Sequence, residues 1–314
     1  MSVIDQGNTS KAGLDEIFYG AFEQDQQPSE VRADNPLFFR QGTTPWGTVQ
    51  YAESAGPGNF DETGADEEVS EATVRVGNKT SKDVVKFAKD LPITEEYRED
   101  SESYGTVNKW VEQMGIRART TRDAGAFKRS YADAFSGATT PDGIALVSNS
   151  HVSINGDTID NLETGVLAAD AFATLIKSLR LQKAHDGDLA SMRADGALFP
   201  VNLFPTAHAV LASELKPGTG NNDSNYVSNV YPGLELGVSE YLDSTYNTFN
   251  SNANTSYFVV SKMHSIARDV RIPLETAWTD ALNDRRRRAF YRARFRELVY
   301  CGTWCGISGS NGTV

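Results

Sequence analysis

Cysteine is scarce in this chain: two residues, Cys301 and Cys305, among 314. That excludes a disulfide framework and fits a reducing compartment such as the cytoplasm. On one continuing strand the two would stand about 13 Å apart, too far to bridge. Two thiols alone do not make a zinc site either, so both read as packing residues. Histidine is nearly as rare, with four. His151 follows Ser148, Asn149 and Ser150, yet a triad needs a nucleophile on a sharp turn and an oxyanion hole. No G-x-S-x-G occurs, and a hydrogen-bonded loop histidine is the simpler reading. His185, Asp186, Asp188 and Asp195 lack the D-x-[DN]-x-[DN]-G order of a calcium loop and read as a polar helix end followed by a hairpin. No G-x-x-x-x-G-K-[ST] exists, so the glycines at 218–220 and 302–306 cradle no phosphate. Catalytic, cofactor-binding and metal residues are therefore all expected to be absent. No run of about 18 apolar residues occurs, which argues against a membrane span. The opening MSVIDQGNTSKAG has neither a basic nor an apolar region, and no secretory signal is expected. Positive charge is also short: 30 basic residues face 42 acidic ones, a net of −12. Binding a phosphate backbone needs the opposite balance.

What is present is enough for a folded body. Hydrophobic residues make up 39% and aromatics 10%, so a core can form in a chain of one large or two ordinary domains. Residues 1–45 are polar, with isolated apolar clusters at Ile17-Phe18-Tyr19, Phe22 and Leu37-Phe38-Phe39. Such a segment cannot bury these on itself. It is either a mobile terminus or an arm that docks its aromatics on a neighbouring subunit. Residues 46–82 read as a long hairpin, with Val49 and Tyr51 on one strand and Thr73 to Val76 on the return. Its tip carries six carboxylates from Asp61 to Glu71 and cannot pack into a core. Residues 84–93 look strand-like. Apolar residues from Val107 to Phe135 recur at spacings of three and four and predict a helix over 106–135, about 45 Å long. Gly115 and Gly125 each weaken that helix by about 1 kcal/mol relative to Ala.

Further along, strands are expected at 144–147, 199–204, 234–238 and 257–260, and helices at 161–183 and 207–215. In the C-terminal part Ala289, Tyr291, Ala293, Phe295, Val299 and Cys301 alternate with Arg292, Arg294, Arg296 and Tyr300. That is a strand with one apolar and one basic face, and only Glu297 breaks the apolar side. Arg285, Arg286, Arg287 and Arg288 form the one strong basic block. A nucleic-acid patch would account for it. An intersubunit contact with Asp66, Glu67 and Glu68 of the acidic finger accounts for both charged features, since Arg grips carboxylates bidentately.

Three blocks resemble the major head subunit family of Mu-like tailed phages. The first is Asp142-Gly143 with LVSNSHV. The second joins Asn161-Leu162, an amphipathic helix, Gly196, FPVNLFP before Ala207, and PGTGNND at 217–223. The third is the ending RARFRELVYCGTWCGISGSNG. They cover about half of the chain in the family's order, with one departure at Tyr257-Phe258-Val259, where the family usually carries WFL or WYL. The resemblance implies an α+β, HK-97-type capsid fold: N-terminal arm 1–45, extended loop 46–82, peripheral domain with spine helix 83–150, axial domain 151–261, and a return to the peripheral domain at 262–314. It implies a major capsid protein that self-assembles as pentamers and hexamers into an icosahedral shell around double-stranded DNA. No enzymatic activity, no cofactor and no sequence-specific DNA binding go with that role. Scaffold, portal and decoration proteins are the expected partners. Assembly would occur in the host bacterial cytoplasm, and the product would reside in the virion. On that view Phe18, Tyr19, Phe22, Phe38, Phe39, Asp66, Glu67, Glu68 and the four arginines are intersubunit contacts. The alternatives are a soluble bacterial α/β hydrolase-like enzyme working through His151, and a surface-binding β-module suggested by the Gly- and Asn-rich residues 217–256.

Overall fold

The computed structural model describes residues 11–23, 30–59, 62, 63, 71, 74–94, 101–211, 213, 227, 230, 231, 233–280 and 288–313; for 101–104, 280 and 288 it describes the backbone alone. In chain order the elements begin with helix α1 (Lys11–Phe22), strands β1 (Arg40–Thr43), β2 (Thr48–Ala55), β3 (Arg75–Asp83) and β4 (Val85–Thr94), and helix α2 (Ser101–Lys128). Short strands β5 (His151–Val152), β6 (Thr158–Ile159) and β7 (Leu162–Glu163) lead to helix α3 (Ala169–Arg180), β8 (Gly196–Pro200), helix α4 (Phe204–Leu211), β9 (Glu235–Ser239) and β10 (Tyr257–Val260). The chain closes through β11 (Ile266–Asp280), β12 (Arg288–Cys301) and β13 (Ile307–Ser310).

The two-faced pattern of the C-terminal strand organises one half of the molecule. β12 is the inner strand of a four-stranded sheet ordered β1-β11-β12-β4. It runs antiparallel to β11 from Ile266↔Cys301 to Asp280↔Ala289, and antiparallel to β4 from Arg288↔Thr94 to Glu297↔Val85. Tyr291 and Ala293 point to the covered side, where they meet Val107, Val111 and Met114 of α2 and Leu14 and Phe18 of α1. Burying one such side chain contributes about 1.5–3 kcal/mol. Gly115 lets α1 and α2 cross: a Cβ there would stand 2.4 Å from the Phe18 carbonyl oxygen. The glycine that weakens the helix by propensity is therefore required by packing.

The other half is a five-stranded mixed sheet ordered β7-β13-β10-β8-β9. All four residues of β10 are buried, because both faces of this central strand are covered. Phe258 and Val260 face the core shared with Phe38, Tyr131 and Ile266. Tyr257 and Val259 face α3 through Phe172, Leu175, Ile176 and Leu179.

Several elements differ from the sequence expectation. The helix of 106–135 starts and ends earlier, as α2, and Tyr131 falls in a separate short turn. Residues 144–147 make only a bridge between Thr139 and Ala145, because Asp142 folds this segment into a turn by accepting from the Ile144 N–H. The helix of 161–183 begins at Ala169; Asn161 instead pins the 146–148 turn to β13, accepting from the Ser148 N–H and donating to the carbonyls of Leu146 and Ile307. β8 covers Gly196–Pro200 and α4 starts at Phe204, both ahead of their expected places. β11 has no counterpart in the sequence reading. Its alternation of Val270, Ile272, Leu274, Thr276 and Trp278 was available as a signal, interrupted by Pro273 and by register shifts between Val270 and Glu275.

Candidate functional site

The hairpin expected at 46–82 exists as β2–β3, paired from Thr48↔Asp83 to Ala55↔Arg75. A lone two-stranded ribbon is marginal in water; one face of β2, at Thr48, Gln50, Ala52 and Ser54, is exposed, while Val49, Tyr51, Glu53 and Ala55 on the other are half-buried or buried. Its foot is fastened by the Val84 N–H donating to Gly47 O at 2.8 Å and by Tyr51 lying 4.5 Å from Tyr300. Glu53 is buried, and one of its oxygens accepts from the backbone and side-chain nitrogens of Asn78. Burial, then the charge of Asp142, pushes the Glu53 carboxyl above its ordinary range. Trp46, Val74 and Val76 remain 69%, 66% and 59% exposed, apolar surface that the subunit does not cover.

The arm corrects the expectation made for its aromatics. Phe18, Phe38 and Phe39 have no exposed surface within their own chain. Phe39 packs edge-on against Phe127 at 5.3 Å and Tyr131 at 5.7 Å. Tyr131 donates its hydroxyl to Phe38 O at 2.9 Å. Tyr19 is half-buried and donates to Leu274 O at 3.1 Å; Phe22 lies under the Arg122 guanidinium at 4.7 Å. The reason is tertiary: β11 and β12 return beside the arm from the far end of the sequence and offer these rings a core. Asp66, Glu67, Glu68, Arg285, Arg286 and Arg287 lie outside the described residues, as does the side chain of Arg288.

The basic face of β12 is largely neutralised within the subunit. Arg292 grips Asp90 of β4 with Nε and Nη2, each at 2.7 Å, and Arg294 pairs with Glu275 of β11. Hydrogen bonding and charge from Arg292 hold Asp90 below the ordinary carboxylate range. Such exposed pairs add little to stability, but they leave Arg292 and Arg294 with their charge already matched, and so poorly available to a phosphate backbone. Glu297, the residue that breaks the apolar side, has a buried partner: Arg268 meets its Oε2 through Nε at 2.8 Å and Nη2 at 2.6 Å. Arg268 also donates to Gln41 Oε1 at 3.0 Å, and Gln41 Nε2 donates to Ala33 O and Phe39 O. This network ties the arm to the sheet. His264 adds a second tie, through Nε2 to Leu37 O at 2.9 Å, while its Nδ1 accepts from the Ile266 N–H at 3.0 Å.

His151 is a packing residue. It has no exposed surface. Its Nδ1 lies 2.7 Å from Asp142 Oδ2 and its Nε2 3.3 Å from Leu146 O, and its ring lies against Trp304. Burial opposes the Asp142 charge, but hydrogen bonds from His151, Thr140 and the Ile144 N–H hold its carboxyl below the ordinary value. With both ring nitrogens engaged and no surface open to a substrate, the hydrolase reading has no site. The expected hairpin after α3 forms around Lys183 and Leu189. His185 Nε2 stands 2.7 Å from Thr303 Oγ1, and among the described residues no group of metal-ligating side chains gathers. Burial raises the Cys301 and Cys305 thiols to about 12, which suits inert packing residues. Among the described residues no helix is long and apolar enough to cross a membrane.

The fold is similar to those of solved capsid structures. The capsid of bacteriophage PhiM1 aligns over 87% of this chain and 84% of its own, at a TM-score of 0.54 and 9% identity. The capsid of the native GTA particle aligns over 92% and 95%, at 0.52 and 13%, and that of the myovirus XM1 over 92% and 94%, at 0.50 and 13%. The class is thus an α+β, HK-97-type capsid fold. The sequence itself matches the phage capsid protein family over residues 77–302, more than half of the chain, and the protein belongs to that family. No curated protein matches the sequence.

Proposed function

We infer that this capsid protein is the subunit that tiles an icosahedral head as pentamers and hexamers around packed double-stranded DNA. One observation carries the reading: the β2–β3 ribbon covers only one of its faces within the subunit and leaves Val74 and Val76, with Trp46 at its foot, uncovered, apolar surface that is useful against another chain. On this reading residues 1–45 are the arm, 46–82 the extended loop, 83–150 and 262–314 the peripheral domain with α2 as spine, and 151–261 the axial domain. Assembly takes place in the host bacterial cytoplasm and the product is the virion shell, with scaffold, portal and decoration proteins as further partners. The role is structural, not catalytic. The acidic finger contributes Asp66, Glu67 and Glu68 to a neighbour, with Arg285, Arg286, Arg287 and Arg288 among the receiving charges. Tyr19 and Phe22, which keep some exposure, are the arm residues left to touch a neighbour. Negative-stain imaging of the purified protein at moderate salt tests the proposal. Shells or capsomer rings are expected; a stable monomer at high concentration across several salt conditions would refute it.

A further inference from the structure

The face of β2 that lies on the body is only partly apolar. Val49, Tyr51, Glu53 and Ala55 alternate along it. The Tyr51 ring meets Tyr300. Gly77 of β3 fits so closely that a Cβ there would stand 2.9 Å from the Ile154 side chain. These contacts hold the ribbon down, but the polar atoms on the same face do not. Tyr51 Oη and Glu53 Oε1 are buried and complete no hydrogen bond among the described residues. Glu53 is 2% exposed and stands where the β2–β3 register shifts, between Ala52 and Ser54, an irregularity of the kind that re-aims a side chain. Both donors to its Oε2 are nitrogens of Asn78, so they belong to the ribbon and travel with it.

The body meets this carboxyl with a negative charge. Burial and then the charge of Asp142 push Glu53 above its ordinary range, and the Asp142 N–H eases it less. Burial opposes the Asp142 charge too, but its bonds to His151, Thr140 and the Ile144 N–H hold that carboxyl below its ordinary range. A cleft of about 430 Å³ separates ribbon from body, lined by Tyr51 and Glu53 on one side and by Arg40, His185, Asp269 and Tyr300 on the other. At Glu53 the charge of Asp142 outweighs that of Arg40. The Cys305 thiol, which also feels Glu53, is pushed up to about 12 and carries no charge.

We propose that the ribbon is a strap latched by a proton on Glu53: with that carboxyl neutral the ribbon lies on the body, and with it ionised beside Asp142 the ribbon lifts. Lifting breaks neither bond to Asn78, returns the Glu53 charge to water and takes it away from Asp142. Tyr51 Oη gains a water partner as well. The latched carboxyl is raised above its free value, so the proton's contribution is fully present below the ordinary 4.5 and is lost as pH rises through the latched value. Between the two values the ratio of lifted to latched ribbon grows about tenfold per pH unit, and beyond them it levels off. The device operates within one subunit and is independent of the shell reading. It gives the Asp142–His151 pair a task, as a fixed negative charge under a movable strap.

Pulsed electron paramagnetic resonance on the full-length subunit tests this. Spin labels are placed at Ser54→Cys, on the exposed face of the ribbon, and at Thr158→Cys, exposed on β6. The native thiols are buried and pushed up to about 12, so they stay unlabelled. From pH 5 to pH 8 a longer distance should grow at the expense of the short one, with the lifted-to-latched ratio rising at least about threefold. Glu53→Gln keeps an acceptor for Asn78 but no charge, and should hold the short distance throughout. Asp142→Asn should reduce the lifted fraction at pH 8, with circular dichroism checking its fold; Glu53→Gln carries the test if that variant misfolds. His264 titrates alike in all variants and cancels. A wild-type distance that does not change with pH overturns the proposal, and so does an equal pH response in Glu53→Gln.

Discussion

Acid should loosen this subunit through one buried imidazole. His264 has no exposed surface and fastens the arm to the start of β11 by two hydrogen bonds. Its Nδ1 accepts from a backbone N–H, so that nitrogen carries no proton. Burial, partly offset by the bond to Leu37 and reinforced by Arg40, lowers its pKa to about 4 from 6.5. The unfolded chain therefore binds a proton more readily than the folded one between these values. The neutral histidine's contribution is fully present above pH 6.5 and is lost as pH falls toward 4. At pH 5 the loss works out to about 2 kcal/mol, and below pH 4 it saturates near 3 kcal/mol. The assay is urea unfolding of wild type and His264→Asn at intervals from pH 7.5 to 4.5. Asparagine can still accept from the Ile266 N–H but does not titrate. It should be less stable at pH 7.5 by about 1–2 kcal/mol for the lost tie to Leu37, yet lose about 2 kcal/mol less on acidification. His185, whose pKa burial also lowers, acts in the same direction in both proteins and cancels in the comparison. Parallel stability curves for the two proteins would refute the reasoning.

Other outcomes follow from single contacts. Arg268→Met should cost about 3–5 kcal/mol in urea unfolding, because Glu297 is left buried without its partner, and Arg268→Met with Glu297→Leu should recover most of that. Gly115→Ala should destabilise by about 1–3 kcal/mol although propensity alone favours it; the added methyl meets the Phe18 carbonyl, and a more stable variant would show that the helices can separate freely. His151→Ala should lower stability by about 1–3 kcal/mol, as Asp142 loses a donor, and should abolish no hydrolysis in an esterase screen. In gel shifts at physiological salt the protein should hold duplex DNA only weakly, and Arg292→Gln with Arg294→Gln should change this little, since both arginines already have carboxylates.

Sequence periodicity determined the elements whose one face meets a core: β12, β10, most of β4 and the centre of α2. Local alternation and helical spacing are set by the backbone, so they are legible wherever burial is one-sided or complete. The order of weak motifs around Asp142, Asn161 and the C-terminal ending was also legible, and with it the capsid class. Composition alone argued against DNA binding, through the balance of charge. Tertiary structure decided the rest. The arm's aromatics looked like surface for a neighbour because nothing near them in sequence could bury them; residues such as Leu274 and Tyr291 arrive from more than 250 positions away. Glu297 looked like an error in an apolar face until Arg268 was found across the strand pair. Gly115 looked like a weakness until α1 was laid against it. Gly115 and Phe18 meet where α1 crosses α2. No window of sequence contains both, because a contact between distant segments is fixed only when the whole chain closes on itself.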